Sequence, residues 1–189
     1  NLLPTKRPAC VRTVQRFGSP VEVTGESFDY AIIATHANNA LEILSDASPE
    51  ERENLAAIPY SKNQIWLHTD SSVLPKNKGA RASWNYMMDN CNNNSSKVLV
   101  SYWMNLLMRL KGEKDYVVTL NGGNLIDEMR VIAKMEYEHP VFTVQSLKAA
   151  RYLRDAGGQR LAFAGAHLGW GFHEDGARSG VDAARKFGA

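Results

Sequence analysis

The sequence predicts an α/β chain with α+β character, and three observations carry that expectation. Toward the end, Leu161–Ala164 is a short apolar run that breaks at Gly165 into a glycine-rich turn and enters a helix at about Glu174. Toward the beginning, Phe28–Thr35 is almost continuously apolar through Tyr30-Ala-Ile-Ile-Ala. That is the pattern of a parallel strand covered on both faces. Between these segments, from Tyr60 to Pro140, apolar and polar residues alternate in short runs separated by polar joints, which suggests a mostly antiparallel sheet.

Taken in order, Ala9–Phe17 and Val21–Thr24 flank a Gly18-Ser-Pro20 turn and read as a hairpin. After the parallel strand, Ala37–Leu44 suits a short helix. Ser48-Pro49-Glu50-Glu51 opens another through Ala57, with Ser48 as cap, Pro49 in the first turn and Glu51 completing a capping box. The middle strands are Gln64–Thr69, Ala82–Met88, Val98–Asn105, Tyr116–Leu120 and Val131–Glu138. Their joints include Asp70-Ser-Ser, the asparagine-rich run Asn90–Ser96, Lys111-Gly-Glu-Lys and Asn121-Gly-Gly123. A helix over Val144–Arg154 leads back to the closing strand. Three zones thus emerge along the chain, the middle one, from Tyr60 to Pro140, being β in character.

Composition fits a globular body with a core of its own. The 189 residues are 44% hydrophobic and 22% charged, near the average for such domains. A net charge of +2, with its 22 basic residues dispersed, argues against a nucleic-acid face. Cys10 and Cys91 stand far apart in no metal or redox motif, and two free thiols in a reducing cytoplasm is the plain reading. No stretch approaches the roughly 18 apolar residues of a membrane span.

The segment Gly165-Ala-His-Leu-Gly169-Trp-Gly171-Phe-His-Glu-Asp-Gly176 carries the densest chemistry. Glycines let backbone approach a ligand closely, and the amides and positive end of the following helix favour an anion or an electron-rich carbonyl. A large polar cofactor is the expected occupant. The bland alternative is that Gly165, Gly169 and Gly171 only form a tight turn and His36 only caps a helix. A metal site is not expected, since His167, His173, Glu174 and Asp175 match no common zinc spacing. A hydrolytic triad is not expected either, because neither Ser101 nor Ser179 lies in a Gly-x-Ser-x-Gly elbow.

This segment resembles the C-terminal flavin-binding motif of the flavin amine oxidase superfamily: strand, Ala-Gly, then a Gly-aromatic-x-Glu-Gly-Ala helix start and a later Gly. Within it, Gly171-Phe-His-Glu-Asp-Gly176-x-Arg178-Ser-Gly180 resembles the form of a bacterial group of FAD/NAD-binding oxidoreductases. A related module is fused to the front of plant cyclopropane-fatty-acid synthases. Phe28–His36, Trp66–Asp70, Ala82–Tyr86 and Tyr137–Pro140 match that group in order. Such proteins open with a Gly-x-Gly-x-x-Gly turn between a strand and a helix. The sequence has none, so it reads as the C-terminal part of a longer flavoprotein, lacking the dinucleotide-binding half and holding FAD poorly without it.

The resemblance implies noncovalent FAD, there being no cysteine placed for covalent attachment. It implies an FAD-binding domain of Rossmann type in 1–58 and 141–189, and a substrate domain in 59–140. Gly165 and Ala166 match the turn at the phosphate and ribityl portion. Gly171, Phe172, His173 and Glu174 match the helix start beside the flavin ring. Val11 is a candidate adenine contact. Thr35 and His36 end the parallel strand, where α/β sheets place ligands. Trp84 and Tyr86, on one face of a strand, are candidates for facing substrate, as are Trp103 and Phe172; the alternative for such aromatics is ordinary core.

His173 is the one titratable side chain beside the implied ring site and the candidate acid or base. The expected activity is hydride transfer from a hydrophobic, lipid-like small molecule to flavin in a cytoplasmic enzyme, with a homo-oligomer as a possible assembly. An amine oxidase is the alternative, although only a loose alignment makes Lys62 equivalent to the lysine of those enzymes. A noncatalytic flavin-binding or interaction module is the alternative of another class.

Overall fold

The structure, a computed structural model, describes residues 14–15, 21–23, 26–88 and 99–188. Val11, Cys10, Cys91, the Gly18-Ser-Pro20 turn and the Asn90–Ser96 run lie outside the described residues. In chain order the elements begin with β1 (Val14–Gln15), β2 (Val21–Val23), β3 (Glu26–Phe28) and β4 (Ala31–Ile33). There follow α1 (Ala37–Ile43), α2 (Pro49–Ala56), β5 (Tyr60–His68), β6 (Trp84–Met87), β7 (Leu99–Trp103), α3 (Met104–Leu107) and β8 (Val117–Leu120). The chain closes with β9 (Val131–Pro140), α4 (Val144–Asp155), β10 (Leu161–Phe163) and α5 (His173–Arg185). This is a mixed α/β fold with one parallel pair and two other sheets.

The residues fall into two units, one running to Tyr60 and resuming at Pro140, the other spanning Ser61–His139. In the first, β10 pairs in parallel with β4, Leu161 opposite Ala31 and Phe163 opposite Ile33. β10 is buried on both faces. Leu161 and Phe163 enter a core with Ile33, Leu44, Leu55, Leu153 and Leu168, while Ala162 and Ala164 meet Ala183 of α5. A short apolar strand is stable in that setting because each alternate side chain finds its own layer.

The apolar run over Phe28–Thr35 proves to be two strands. Phe28 ends β3, antiparallel to β2, and only Ala31–Ile33 joins the parallel pair. The chain changes sheet across Asp29 and Tyr30, a break that hydrophobicity alone does not mark.

Two of the three helices that contribute to this core, α2 and α4, carry sequence-coded starts. Glu51 N–H donates to Ser48 Oγ at 3.2 Å while Ser48 N–H donates to Glu51 Oε2 at 2.9 Å. In α4, Ser146 N–H donates to Thr143 Oγ1 at 3.0 Å, with Ser146 Oγ accepting the Thr143 N–H in return. Each box satisfies two amides that the helix itself cannot. Ser48→Ala is expected to lower unfolding stability by about 1 kcal/mol, readable as an earlier urea midpoint at unchanged slope.

In the second unit the sheet order is β6-β7-β8-β5-β9. The β6–β7, β7–β8 and β5–β8 pairs are antiparallel. Trp66, Val73, Leu74, Val117 and Ile126 form its core on one sheet face. Along β9 the in–out alternation slips at Glu136 and Tyr137, two successive exposed residues. Among the described residues, no helix is long and apolar enough to cross a membrane.

Candidate functional site

Parallel strands direct their carboxyl ends to one edge, where backbone groups are released from pairing. Here that edge gathers Thr35 and His36 after β4 with Gly165, Ala166 and His167 after β10. The last rung is the bond from Ala164 N–H to Ile33 O at 2.9 Å. Beyond it Gly165 adopts φ 154° and ψ 157°, and Ala166–Leu168 closes a single helical turn. Gly171, at φ 87°, then brings the chain into α5.

Side chains from the neighbouring helices hold this turn. Arg154 of α4 donates through Nε to Leu168 O at 2.9 Å, with Nη2 on the same oxygen. Ser179 Oγ accepts the Gly165 N–H at 2.9 Å and donates to Gly176 O at 2.7 Å. Asp175 Oδ2 accepts the Phe172 N–H at 3.0 Å. Phe172 occupies the cap position of α5 but has no side-chain acceptor, so the helix starts without a side-chain cap. His173 is its first residue and exposed. Glu174 lies 3.6 Å from Arg178 one turn on.

His36 and His167 give the edge its electrostatics. The His36 ring stacks on Tyr60 at 4.5 Å, and Tyr60 Oη accepts the Ala37 N–H at 2.9 Å. His167 is buried, its ring against the α-carbon of Gly165. Burial pushes the His167 imidazole down to about 4, and the neighbouring His36 pushes the same way. His167 is therefore neutral at physiological pH. Asn38 Oδ1, two residues beyond His36, is buried and has no hydrogen-bond partner among the described residues. Buried polar atoms are ordinarily paired, so Asn38 Oδ1 implies a further partner.

These features fit a long polar cofactor only in part of the turn. A Cβ at Gly165 would strike His167, and one at Gly169 would strike Asp175. Those two glycines are thus required by internal packing, and the Gly165 N–H is already bonded. What remains suited to a ligand is the uncapped start of α5, Ala166, Gly171 and the unsatisfied Asn38 Oδ1. A cleft of about 440 Å³ beside the turn is lined by Arg154, Asp175, Arg178, Ser179 and Lys186 among others. Its cations are committed: Arg154 to Leu168 O, Lys186 to the carbonyls of Asp155 and Ala156, and Arg178 to Glu174.

Phe172 and Trp170 are the most exposed aromatics of this unit, at 70% and 65%, and Trp170 tilts against Phe142 at 6.3 Å. His167, Asn38, Ser179, Asp175 and Arg154 are the participants that pattern reading passed over. Ser179 and Arg154 act through folding distance, Arg154 from another helix, so no local spacing announces them.

In the Ser61–His139 unit the aromatic candidates separate. Trp84 and Tyr86 stack at 6.2 Å on one sheet face, 53% and 45% exposed. Trp84 pairs across with Tyr102, which places Trp103 on the opposite face, packed against the core. Its Nε1 donates to Asp115 Oδ1 at 2.9 Å, Arg81 meets Asp115 Oδ2 at 3.2 Å, and the Arg81 guanidinium lies over the indole. Trp103 thus packs against the core on the face opposite Trp84 and Tyr86, a separation set by strand parity. Lys62 is paired with Glu136 at 3.3 Å.

Trp103's face also buries a polar line. His68 Nε2 bonds Thr119 Oγ1 at 2.8 Å, and Thr119 Oγ1 bonds Ser101 Oγ at 2.9 Å. Asp70 N–H donates to His68 Nδ1 at 3.2 Å, which leaves the imidazole proton on Nε2. Burial lowers the His68 pKa despite the opposing pull of Asp70. For Asp70 itself, burial acts upward but is outweighed by the N–H groups of Asp127 and Ser72 and by Arg130, so its carboxyl titrates lower than usual. Among the described residues, no three His, Cys, Asp or Glu side chains gather closely enough to hold a metal ion.

No protein-family model and no curated protein matches the chain. Its fold does recur among solved structures, in an enzyme. That structure is a CLA-producing fatty acid isomerase from P. acnes, with a TM-score of 0.61 at 15% identity. The likeness covers 94% of this chain but only 47% of the isomerase, so the chain spans about half of that protein's length.

Proposed function

We propose that this chain is the C-terminal part of an oxidoreductase that binds FAD noncovalently and oxidises a hydrophobic, lipid-like small molecule by hydride transfer to flavin. The observation that carries the reading is the uncapped helix start of α5, set by a glycine turn at the carboxyl edge of a parallel strand pair. The shared fold with a fatty acid isomerase supports the lipid-like substrate class.

FAD supplies the hydride-accepting ring, and the protein positions and tunes it. In this reading Ala166 and Gly171 give the backbone approach, with Gly165 holding the turn open against His167. The first amides of α5 would favour negative charge on a bound flavin. Phe172 would contribute an aromatic wall, and His173, exposed at the first position of α5, would be a candidate to move a proton. Thr35 and His36, which follow β4, and Asn38 in α1 would supply polar contacts.

Visible absorption after incubation with FAD and dialysis tests this. The chain alone should emerge colourless, and a longer protein carrying an in-frame Gly-x-Gly-x-x-Gly element should emerge yellow. Anaerobic mixing with fatty acyl substrates should then bleach the flavin band. A longer protein that binds no FAD would overturn the reading. One that binds FAD but is reduced by amines alone would overturn the substrate class.

A further inference from the structure

Surface loops are normally polar because every exposed apolar side chain orders water without return. The segment from Leu106, at the end of α3, to Lys114, ahead of β8, departs from this. All nine residues from 106 to 114 are exposed, and four are large and apolar: Leu106, Leu107, Met108 and Leu110, each between 41% and 61% exposed. Interleaved with them are Arg109, Lys111 and Lys114, with Glu113 the single acid. None of the three cations has an ion-pair partner among the described residues.

The loop is nonetheless built. At its stem Asn105 bridges both limbs, Nδ2 donating to Lys114 O at 2.8 Å and Oδ1 accepting the Tyr116 N–H at 2.7 Å. Met104 N–H reaches Tyr116 O at 2.9 Å, and the Trp103–Asp115–Arg81 cluster stiffens the base. Beyond α3, Leu110 N–H returns to Asn105 O at 2.9 Å, and Arg109 at φ 52° turns the chain.

We propose that residues 106–114 form an interfacial anchor that inserts its apolar side chains into the surface of a lipid bilayer carrying anionic headgroups. Apolar tips with unpaired cations beside them are the two components such attachment requires, burial of hydrocarbon and attraction to anionic lipid. A second copy is the weaker occupant: a two-fold contact through this loop would set Arg109, Lys111 and Lys114 against their own equivalents. The anchor is independent of the flavin reading and would serve any enzyme whose substrate partitions into membranes.

Co-sedimentation of the full chain with phosphatidylcholine vesicles, with and without phosphatidylglycerol, tests it. Binding should require phosphatidylglycerol and weaken with salt. The pair Leu107→Asp and Met108→Asp should reduce partitioning more than about tenfold. Lys111→Glu and Lys114→Glu should each reduce it about fivefold or more. The substituted side chains are exposed, so circular dichroism should be unchanged. Failure to sediment with phosphatidylglycerol vesicles would overturn the proposal, as would binding indifferent to both sets of substitutions. A concentration-dependent dimer abolished by Leu107→Asp would assign the loop to a second copy instead and overturn it too.

Discussion

Gly165→Ala is expected to cost about 3 kcal/mol of folding stability, measured by urea unfolding. Two separate effects add. With φ 154° and ψ 157°, Gly165 sits where glycine alone is at ease, and forcing a side chain there costs on the order of 1–3 kcal/mol. The new Cβ would also meet the Nδ1–Cε1 edge of the buried His167 ring. The two effects separate in a double-mutant cycle. In a His167→Ala background the same substitution should cost about 1–2 kcal/mol less, the backbone strain remaining. Equal costs in both backgrounds would mean that the ring is not the obstacle.

Stability should also fall as the pH drops below the ordinary range of histidine. His167 is neutral in the folded chain down to about 4, whereas the unfolded chain takes up the proton near 6.5. Between those values the unfolded state binds more protons, so unfolding stability rises with pH. The contribution is fully present above about pH 6.5 and has fallen by about 2 kcal/mol at pH 5 and about 3 kcal/mol near pH 4. His68, also lowered by burial, adds in the same direction. Urea midpoints measured from pH 8 to pH 5 check this. His167→Phe should flatten the profile relative to the parent, and a profile as steep as the parent's would show that His167 does not drive it.

Local chemistry was well marked in the sequence. Ser48-Pro-Glu-Glu51 specified a capping box without reference to the rest of the chain, and the box is present atom for atom. The strand Leu161–Phe163 and the glycine turn after it could be read because apolarity on every position leaves few other settings. What could not be read depended on which surfaces meet. Trp84 and Trp103 both look like aromatic strand residues, and only the β6–β7 register puts them on opposite faces. His167 sits in the most conspicuous segment, yet its burial follows from the packing of the turn, which sequence spacing does not encode. Ser179 closes on Gly165 from fourteen residues away through a fold that its neighbours in sequence do not announce.

One bond joins the two crossings at which the middle of the chain departs and returns. Pro59 O accepts the Val141 N–H at 2.8 Å, so the chain leaves and re-enters at neighbouring points. The stretch between behaves like a clause in parentheses: deleting it leaves a sentence whose broken ends already touch. A short linker from Pro59 to Val141 would close a gap of minimal loop entropy. Over evolutionary time, the same adjacency allows whatever fills the parentheses to be lengthened, shortened or exchanged while β4, β10 and the glycine turn keep their places.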